Sequence, residues 1–165
     1  MSRPKVLVAL SGGIDSSVAA YLLKKKDYDL IGVSLLLHEQ PWTRQKELAG
    51  GFNDAAILAE ELNIPYYIID FKKEFEEKVI HYFIHSYLNG LTPNPCVVCN
   101  DSVKWGKLLE LADEFGCEAI ATGHYARKRI MNNHWLLSKS ADQSKDQTYF
   151  LWRLKSEQIA KTIFP

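Results

Sequence analysis

The sequence has no net charge: 20 Lys and Arg balance 20 Asp and Glu across 165 residues. That excludes a global basic field of the kind that marks many nucleic-acid binders, but leaves room for a local patch. Cysteine is scarce and odd in number, at three. A closed disulfide framework is therefore excluded, and a reducing, cytoplasmic setting fits. No apolar run reaches the length of a membrane span. The first residues lead directly into an apolar strand pattern, without the regions of a signal peptide, so no membrane partner is expected. Internal repeats and low-complexity segments are also missing.

What is present is an ordinary globular composition, 47% hydrophobic, in a chain long enough for one domain with a proper core. Apolar runs at 6–10, 30–37, 64–70 and 118–122 read as strands, and the continuous second run suits a buried parallel strand. Helical patterns fall between them. One follows residue 13, pairing Val18 with Leu22 and Ala19 with Leu23. One is capped by Asn53, one spans 74–88 with Phe75, Val79, Tyr82 and Phe83 inward, and one starts at Asn100 or Asp101 and ends at Gly116. Residues 38–51 read as a loop, 91–95 as rigid non-helical chain. A hairpin is expected around Asn132-Asn133, with short helices over 146–153 and 156–164. Strands alternating with helices predict an α/β doubly wound sheet, with ligands beyond the C-terminal strand ends.

Four stretches carry chemistry. Residues 10–17 read Leu-Ser-Gly-Gly-Ile-Asp-Ser-Ser between the first strand and the first helix. Such a turn is an anion site, because free N–H groups and the positive end of the helix dipole converge on one point. It matches neither G-x-x-x-x-G-K-[ST] nor G-x-G-x-x-G. Gly12 and Gly13 allow a sharp turn and close approach to a ligand. Ser11, Ser16 and Ser17 add hydroxyl groups, and Asp15 is placed to cap the helix, hold a loop N–H or hold a metal. A plain capped strand-to-helix turn is the alternative.

Residues 92–100 read Thr-Pro-Asn-Pro-Cys-Val-Val-Cys-Asn. Cys96 and Cys99 straddle the expected helix start, where helix N–H groups would lower a thiol pKa and raise its nucleophilicity. Metal binding, disulfide cycling and two buried structural cysteines remain open. Zinc is disfavoured, since no second Cys/His pair of suitable spacing occurs. Cys117 reads as a core residue. In Ala121-Thr122-Gly123-His124-Tyr125-Ala126-Arg127, Gly123 permits close ligand approach, and His124 and Arg127 are natural phosphate or RNA contacts. Lys145-Asp146-Gln147 precedes aromatic residues that can anchor it; an Asp-capped helix is the alternative.

SGGIDSS, NDA at 53–55, TPNPCVVCN, ATGHYAR and KDQTYFL, in this order and spacing, together resemble the bacterial tRNA-specific 2-thiouridylase family. The first of these alone resembles the loop of the wider N-type ATP pyrophosphatases. The resemblance implies a doubly wound, mostly parallel sheet of that class, adenine nucleotide alpha hydrolase-like and Rossmann-like. It implies that ATP adenylates O2 of wobble uridine 34 in tRNA, and that sulfur then arrives from a cysteine persulfide. By the same resemblance Ala9, Leu10, Ser11, Gly12, Gly13, Ile14, Asp15 and Ser16 hold ATP phosphates, and Leu35 and Gly123 lie at the nucleotide. Asn94, Pro95 and Cys96 lie against the target base, and Cys99 matches the nucleophile. His124, Lys145, Asp146 and Gln147 match tRNA contacts. ATP with Mg²⁺ is the implied cofactor. tRNA and a sulfur-relay or cysteine desulfurase protein are the implied partners.

Three departures qualify the resemblance. Cys96 stands where many members have Asp, as in a Cys-x-x-Cys branch in which Cys96, Cys99 and a downstream cysteine hold a [4Fe-4S] cluster. Residues 38–51 form a shorter loop than usual, without its frequent cysteine. The family continues past the position of Pro165 through a central domain and a β-barrel, where its persulfide-carrying cysteine lies. The chain thus reads as the ATP-pyrophosphatase portion. Other readings are a relative of the GMP and NAD synthetase branch that adenylates a small substrate, and a non-catalytic nucleotide- or tRNA-binding module.

Overall fold

The computed structural model describes residues 3–38 and 50–165. Along the chain it forms β1 (Lys5–Ala9), α1 (Ile14–Lys25), β2 (Asp29–Leu36), α2 (Gly50–Glu61) and β3 (Tyr66–Asp70). A helical run over 72–88 follows, made of α3 (Lys72–Phe75), a π-helical segment Glu76–Ile80 and α4 (His81–Leu88). A second run over 95–114 comprises α5 (Pro95–Val98), a π-helical segment Cys99–Trp105 and α6 (Gly106–Glu114). β4 (Ala119–Ala121), the hairpin β5 (Arg127–Met131) and β6 (His134–Ser138), two 3₁₀ turns (Gln143–Lys145 and Thr148–Leu151), α7 (Ser156–Ala160) and β7 (Thr162–Ile163) complete it.

Five strands pair in parallel in the order β3-β2-β1-β4-β7. The order reverses between β1 and β4, which defines an α/β doubly wound sheet and its switch point. Alternation along β1 explains the two faces. Val6 and Val8 join Ala20, Leu23, Ala55 and Ala59 on one side. Leu7 joins Trp105, Leu108 and Ala112 on the other. Because both faces are covered, the strand reads as continuously apolar. Cys117 is buried, as expected. The hairpin also forms where expected, with Asn132 and Asn133 at φ 49° and 62° in its turn.

Several local expectations are corrected. The helix expected at Asn100 or Asp101 begins five residues earlier, at Pro95. Proline suits a first helical position, where its missing N–H is not needed, and Asn94 Oδ1 accepts from Val97 N at 3.3 Å as the cap. Residues 156–164 are not one helix. α7 stops at Ala160, and β7 extends the sheet edge beside β4. Thr162 is fixed there by non-local bonds: Trp105 Nε1 donates to its Oγ1 at 2.9 Å, and that hydroxyl donates to Gln158 O at 2.7 Å. Residues 146–153 form a 3₁₀ turn over Thr148–Leu151 in place of a helix. α2 starts at Gly50, so Asn53 lies inside the helix and does not cap it. The rest of the expected loop at 38–51 lies outside the described residues, apart from His38. On α1, Ala19 and Leu23 point inward while Val18 is exposed. On the 72–88 run only Val79 of the expected inner face is fully buried, and Tyr82 and Phe83 stay more than a third exposed.

Candidate functional site

The turn from β1 into α1 is held from behind. Leu10 N donates to Val33 O at 2.8 Å, and Leu10 O accepts from Ser34 Oγ at 2.6 Å. Tyr66 in turn donates to Ser34 Oγ at 2.7 Å, while burial raises its phenol pKa. The turn itself is knitted by hydroxyls. Ser16 Oγ accepts from Ser11 N at 3.1 Å and donates to Gly13 O at 2.9 Å. Ser11 Oγ lies 3.0 Å from it, and Ser17 Oγ donates to Gly13 O at 3.0 Å. The first-turn N–H groups of Ile14, Asp15 and Ser16 have no intrahelical carbonyl to serve, so they face the turn as anion donors. Asp15 is not the cap. Gly13 occupies that position, and Asp15 Oδ1 accepts from Tyr125 Oη at 3.0 Å, raising the Tyr125 pKa.

The two glycines differ. Gly12, at φ +75°, packs on Gly51, whose carbonyl oxygen would lie 2.0 Å from an added Cβ. Gly13 has an extended backbone that any residue adopts, and an added Cβ would meet nothing closer than Ser11 Oγ at 3.4 Å. Gly123 lines the turn cavity and also packs tightly on protein: an added Cβ would fall 2.7 Å from Asp15 C and Ser16 N. Its job is to let the end of β4 lie against the first turn of α1.

Two cavities meet at this point. A cavity of about 150 Å³ is lined by Ala9, Ser11, Asp15, Ser16, Gly123, His124 and Gln147. Another, of about 440 Å³, includes Pro95, Cys96, Cys99, Asn100 and Lys104 in its wall, with His124 and Gln147 again. His124 and Gln147 are thus the shared partition between the glycine-rich turn and the cysteines. Gln147 is clamped to Tyr125 by two backbone-directed bonds of 2.9 Å. His124 Nδ1 lies 3.1 Å from Thr122 Oγ1, and its ring packs 5.3 Å from that of Trp105. Burial first, then the positive charge of Lys104, lower its pKa from 6.5 to about 4. At neutral pH it is therefore an uncharged donor and acceptor, not a cation for phosphate.

The cysteines differ as well. Cys96 is exposed in the first turn of α5, whereas Cys99 is buried in the following turn. Burial pushes the Cys99 thiol pKa up, with Lys104 opposing, so the lowered value expected at a helix start does not hold there. Helix N–H groups help only within the first turn, and the helix starts too early for Cys99 to share them.

The remaining expected residues fall outside this partition. Leu35 lies in β2 opposite Ile69, with its side chain packed between two core clusters. The Asn94 side chain is occupied as a helix cap. Lys145 is exposed. Asp146 accepts from Ser140 N at 2.7 Å and from the Thr148 hydroxyl, which lowers its pKa. Arg127 donates to the carbonyls of Lys139 and Ser140 and so braces the hairpin. Sequence reasoning missed Lys104 and the Tyr125–Asp15 link. The spacing of Cys96, Asn100 and Lys104, four residues apart, was the available signal for the first.

A doubly wound sheet with a serine- and glycine-rich anion turn at its switch point defines a nucleotide-binding domain of the HUP class. The chain belongs to the family described as the tRNA methyl transferase HUP domain, matched over residues 4–165. It is 44% identical over 169 residues to the tRNA-specific 2-thiouridylase MnmA of Cytophaga hutchinsonii, and 46% identical over 168 residues to that of Lachnoclostridium phytofermentans. These matches cover 99% and 98% of this chain but 46% and 47% of the relatives, so the chain spans about half their length. Among solved structures it is similar to the U34-tRNA thiolase NcsA from Methanococcus maripaludis, solved with its [4Fe-4S] cluster. The identity is 30% and the TM-score 0.50, over 73% of this chain and 38% of that one.

Proposed function

We propose that this chain is the ATP-using portion of a tRNA 2-thiouridylase: it adenylates O2 of the wobble uridine and presents that uridine to a sulfur-carrying cysteine. The observation that carries the reading is the shared wall of His124 and Gln147 between the anion turn and the cysteine cavity. Pyrophosphate oxygens fit the turn, where first-turn amides and the helix dipole favour negative charge. The base fits the cysteine cavity. The uridine O2 attacks the α-phosphorus between them. The O2–P bond forms, the bond to pyrophosphate breaks with its electron pair leaving on pyrophosphate, and the N3 proton passes to water. The terminal sulfur of the carrier cysteine's persulfide then attacks C2, and AMP leaves with the C2–O2 bond pair. The Cys99 thiolate attacks the carrier sulfur, so the S–S bond to the base breaks and 2-thiouridine leaves. The two cysteines are left as a disulfide for a thiol reductant to reopen.

Mg²⁺ would neutralise charge on the leaving pyrophosphate. Asp15 is the carboxylate lining the turn cavity, and the residue placed to meet it. The residues fit a cluster poorly. Cys96 and Cys99 supply two thiols, and Cys117 belongs to a different core cluster. No group of three or more metal-ligating side chains occurs among the described residues, so no step is assigned to iron. The helices among the described residues are not long and apolar enough to cross a membrane. tRNA and a persulfide-donating relay or desulfurase protein are the partners this chemistry requires.

Pyrophosphate release from ATP–Mg²⁺ tests the reading. It should be stimulated by a tRNA carrying uridine at position 34 and not by the same tRNA with cytidine there. Cys99→Ala should retain that release but form no 2-thiouridine in the presence of a persulfide donor. Stimulation by a small carboxylate or amide, with none by tRNA, would replace this reading with a small-substrate adenylating enzyme.

A further inference from the structure

Lys104 is the only side chain with a fixed charge among the described residues lining the cysteine cavity. It is half-buried, and no described residue gives it an ion pair or a hydrogen bond. An ammonium partly withdrawn from water without a counter-ion is costly. Its presence in a cavity wall marks a place where an anion belongs.

The backbone puts it there by an unusual route. Cys99–Trp105 is π-helical. In a π turn the closing bond joins residues five apart, so residue i+5 returns over residue i. Lys104 therefore follows Cys96, Cys99 and Asn100 along the cavity wall. Val103 beside it is fully buried in the core, and π turns of this kind are frequent at functional sites. The charge of Lys104 is felt at Cys99 on one side and at His124 on the other. His124 also lines the glycine-rich turn. Lys104 thus lines the cysteine cavity, of which His124 is the wall shared with the turn.

We propose that Lys104 binds the phosphate linking nucleotide to substrate, that is, the α-phosphate of ATP and then of the adenylated intermediate. The inference rests on the adenylation reading above and adds a residue to it. The pyrophosphate oxygens are served by the turn, whose amides lie at the far side of His124. The α-phosphate keeps its negative charge after pyrophosphate has left, and Lys104 is the unpaired cation on the side toward which that phosphate moves.

The test is calorimetric titration of the chain with AMP, adenosine and inorganic pyrophosphate, for wild type, Lys104→Met and Lys104→Arg. A charge-assisted contact is worth about tenfold or more in affinity. AMP should bind about tenfold more weakly to K104M, while adenosine and pyrophosphate bind as to wild type. K104R should keep most of the AMP affinity. Unchanged pyrophosphate binding also shows that the variant is folded. Equal losses for AMP and adenosine, or no loss for AMP, would overturn the role of Lys104 and leave the adenylation reading standing. A wild-type chain that binds neither AMP nor ATP–Mg²⁺ would overturn both.

Discussion

At the scale of single residues, His124 shows how tertiary context sets chemistry. A histidine after a strand end looks like a phosphate contact. Packing against Trp105 and the nearby charge of Lys104 keep it neutral instead. A pH prediction follows from the sign of that shift. The unfolded chain takes up the His124 proton near pH 6.5, the folded chain only near pH 4. Between those values the unfolded state holds more protons, so stability rises with pH and falls on acidification. The unfolding free energy from urea titration should drop from pH 7 to pH 4.5, by at most about 3 kcal/mol from this group. His124→Gln should flatten that slope. Asp142 and Asp146, whose carboxyl pKa values are lowered by bonds from Ser144 and from Thr148, lose their contribution as pH falls through and below the ordinary carboxylate range. The histidine loss therefore comes first on acidification and is read alone above about pH 5.

At the scale of elements, the decisive contact is between the end of β4 and the start of α1. Gly123 lies on the backbone of Asp15 and Ser16, so Gly123→Ala forces Cβ into main-chain atoms that cannot yield cheaply. It should cost about 1–3 kcal/mol in denaturant unfolding and weaken ATP binding by displacing the first turn of α1. Gly13→Ala meets only Ser11 Oγ at ordinary contact distance. It should leave stability within about 0.5 kcal/mol, so any loss of ATP affinity there reports crowding of the ligand itself. A motif of two adjacent glycines conceals this asymmetry. The same limit applies to the 95–114 helix. The helical spacing of Val103, Leu108, Leu111, Ala112 and Phe115 marked a helix, but neither its start at Pro95 nor its π turn is written in periodicity. β7 escaped notice because two residues make no pattern, and Thr162 is held by Trp105 from 57 positions away.

At the scale of the molecule, the 72–88 run packs on the core through Phe75 and Val79, with Ser86 buried, and leaves an apolar face outward. Ile84 is 50% exposed, Tyr87 57%, Leu88 81% and Leu91 62%. A contiguous apolar face of this kind drives association. The sedimentation coefficient of this chain should rise with concentration across the micromolar range. Replacing both Ile84 and Leu88 by Glu should abolish that rise while changing unfolding stability by less than about 1 kcal/mol, since both side chains are exposed. Relatives twice as long as this chain contain further sequence with which such a face could pack.

The sheet class, the glycine-rich turn and the cysteine pair could be read from the residues alone, because continuous apolar runs, adjacent glycines and short motifs are local properties of the chain. The meeting of the two cavities could not. Which thiol is buried, which glycine touches protein and why His124 stays neutral all depend on atoms far apart in sequence. Desolvation and charge act through space, and only the closed fold sets those distances.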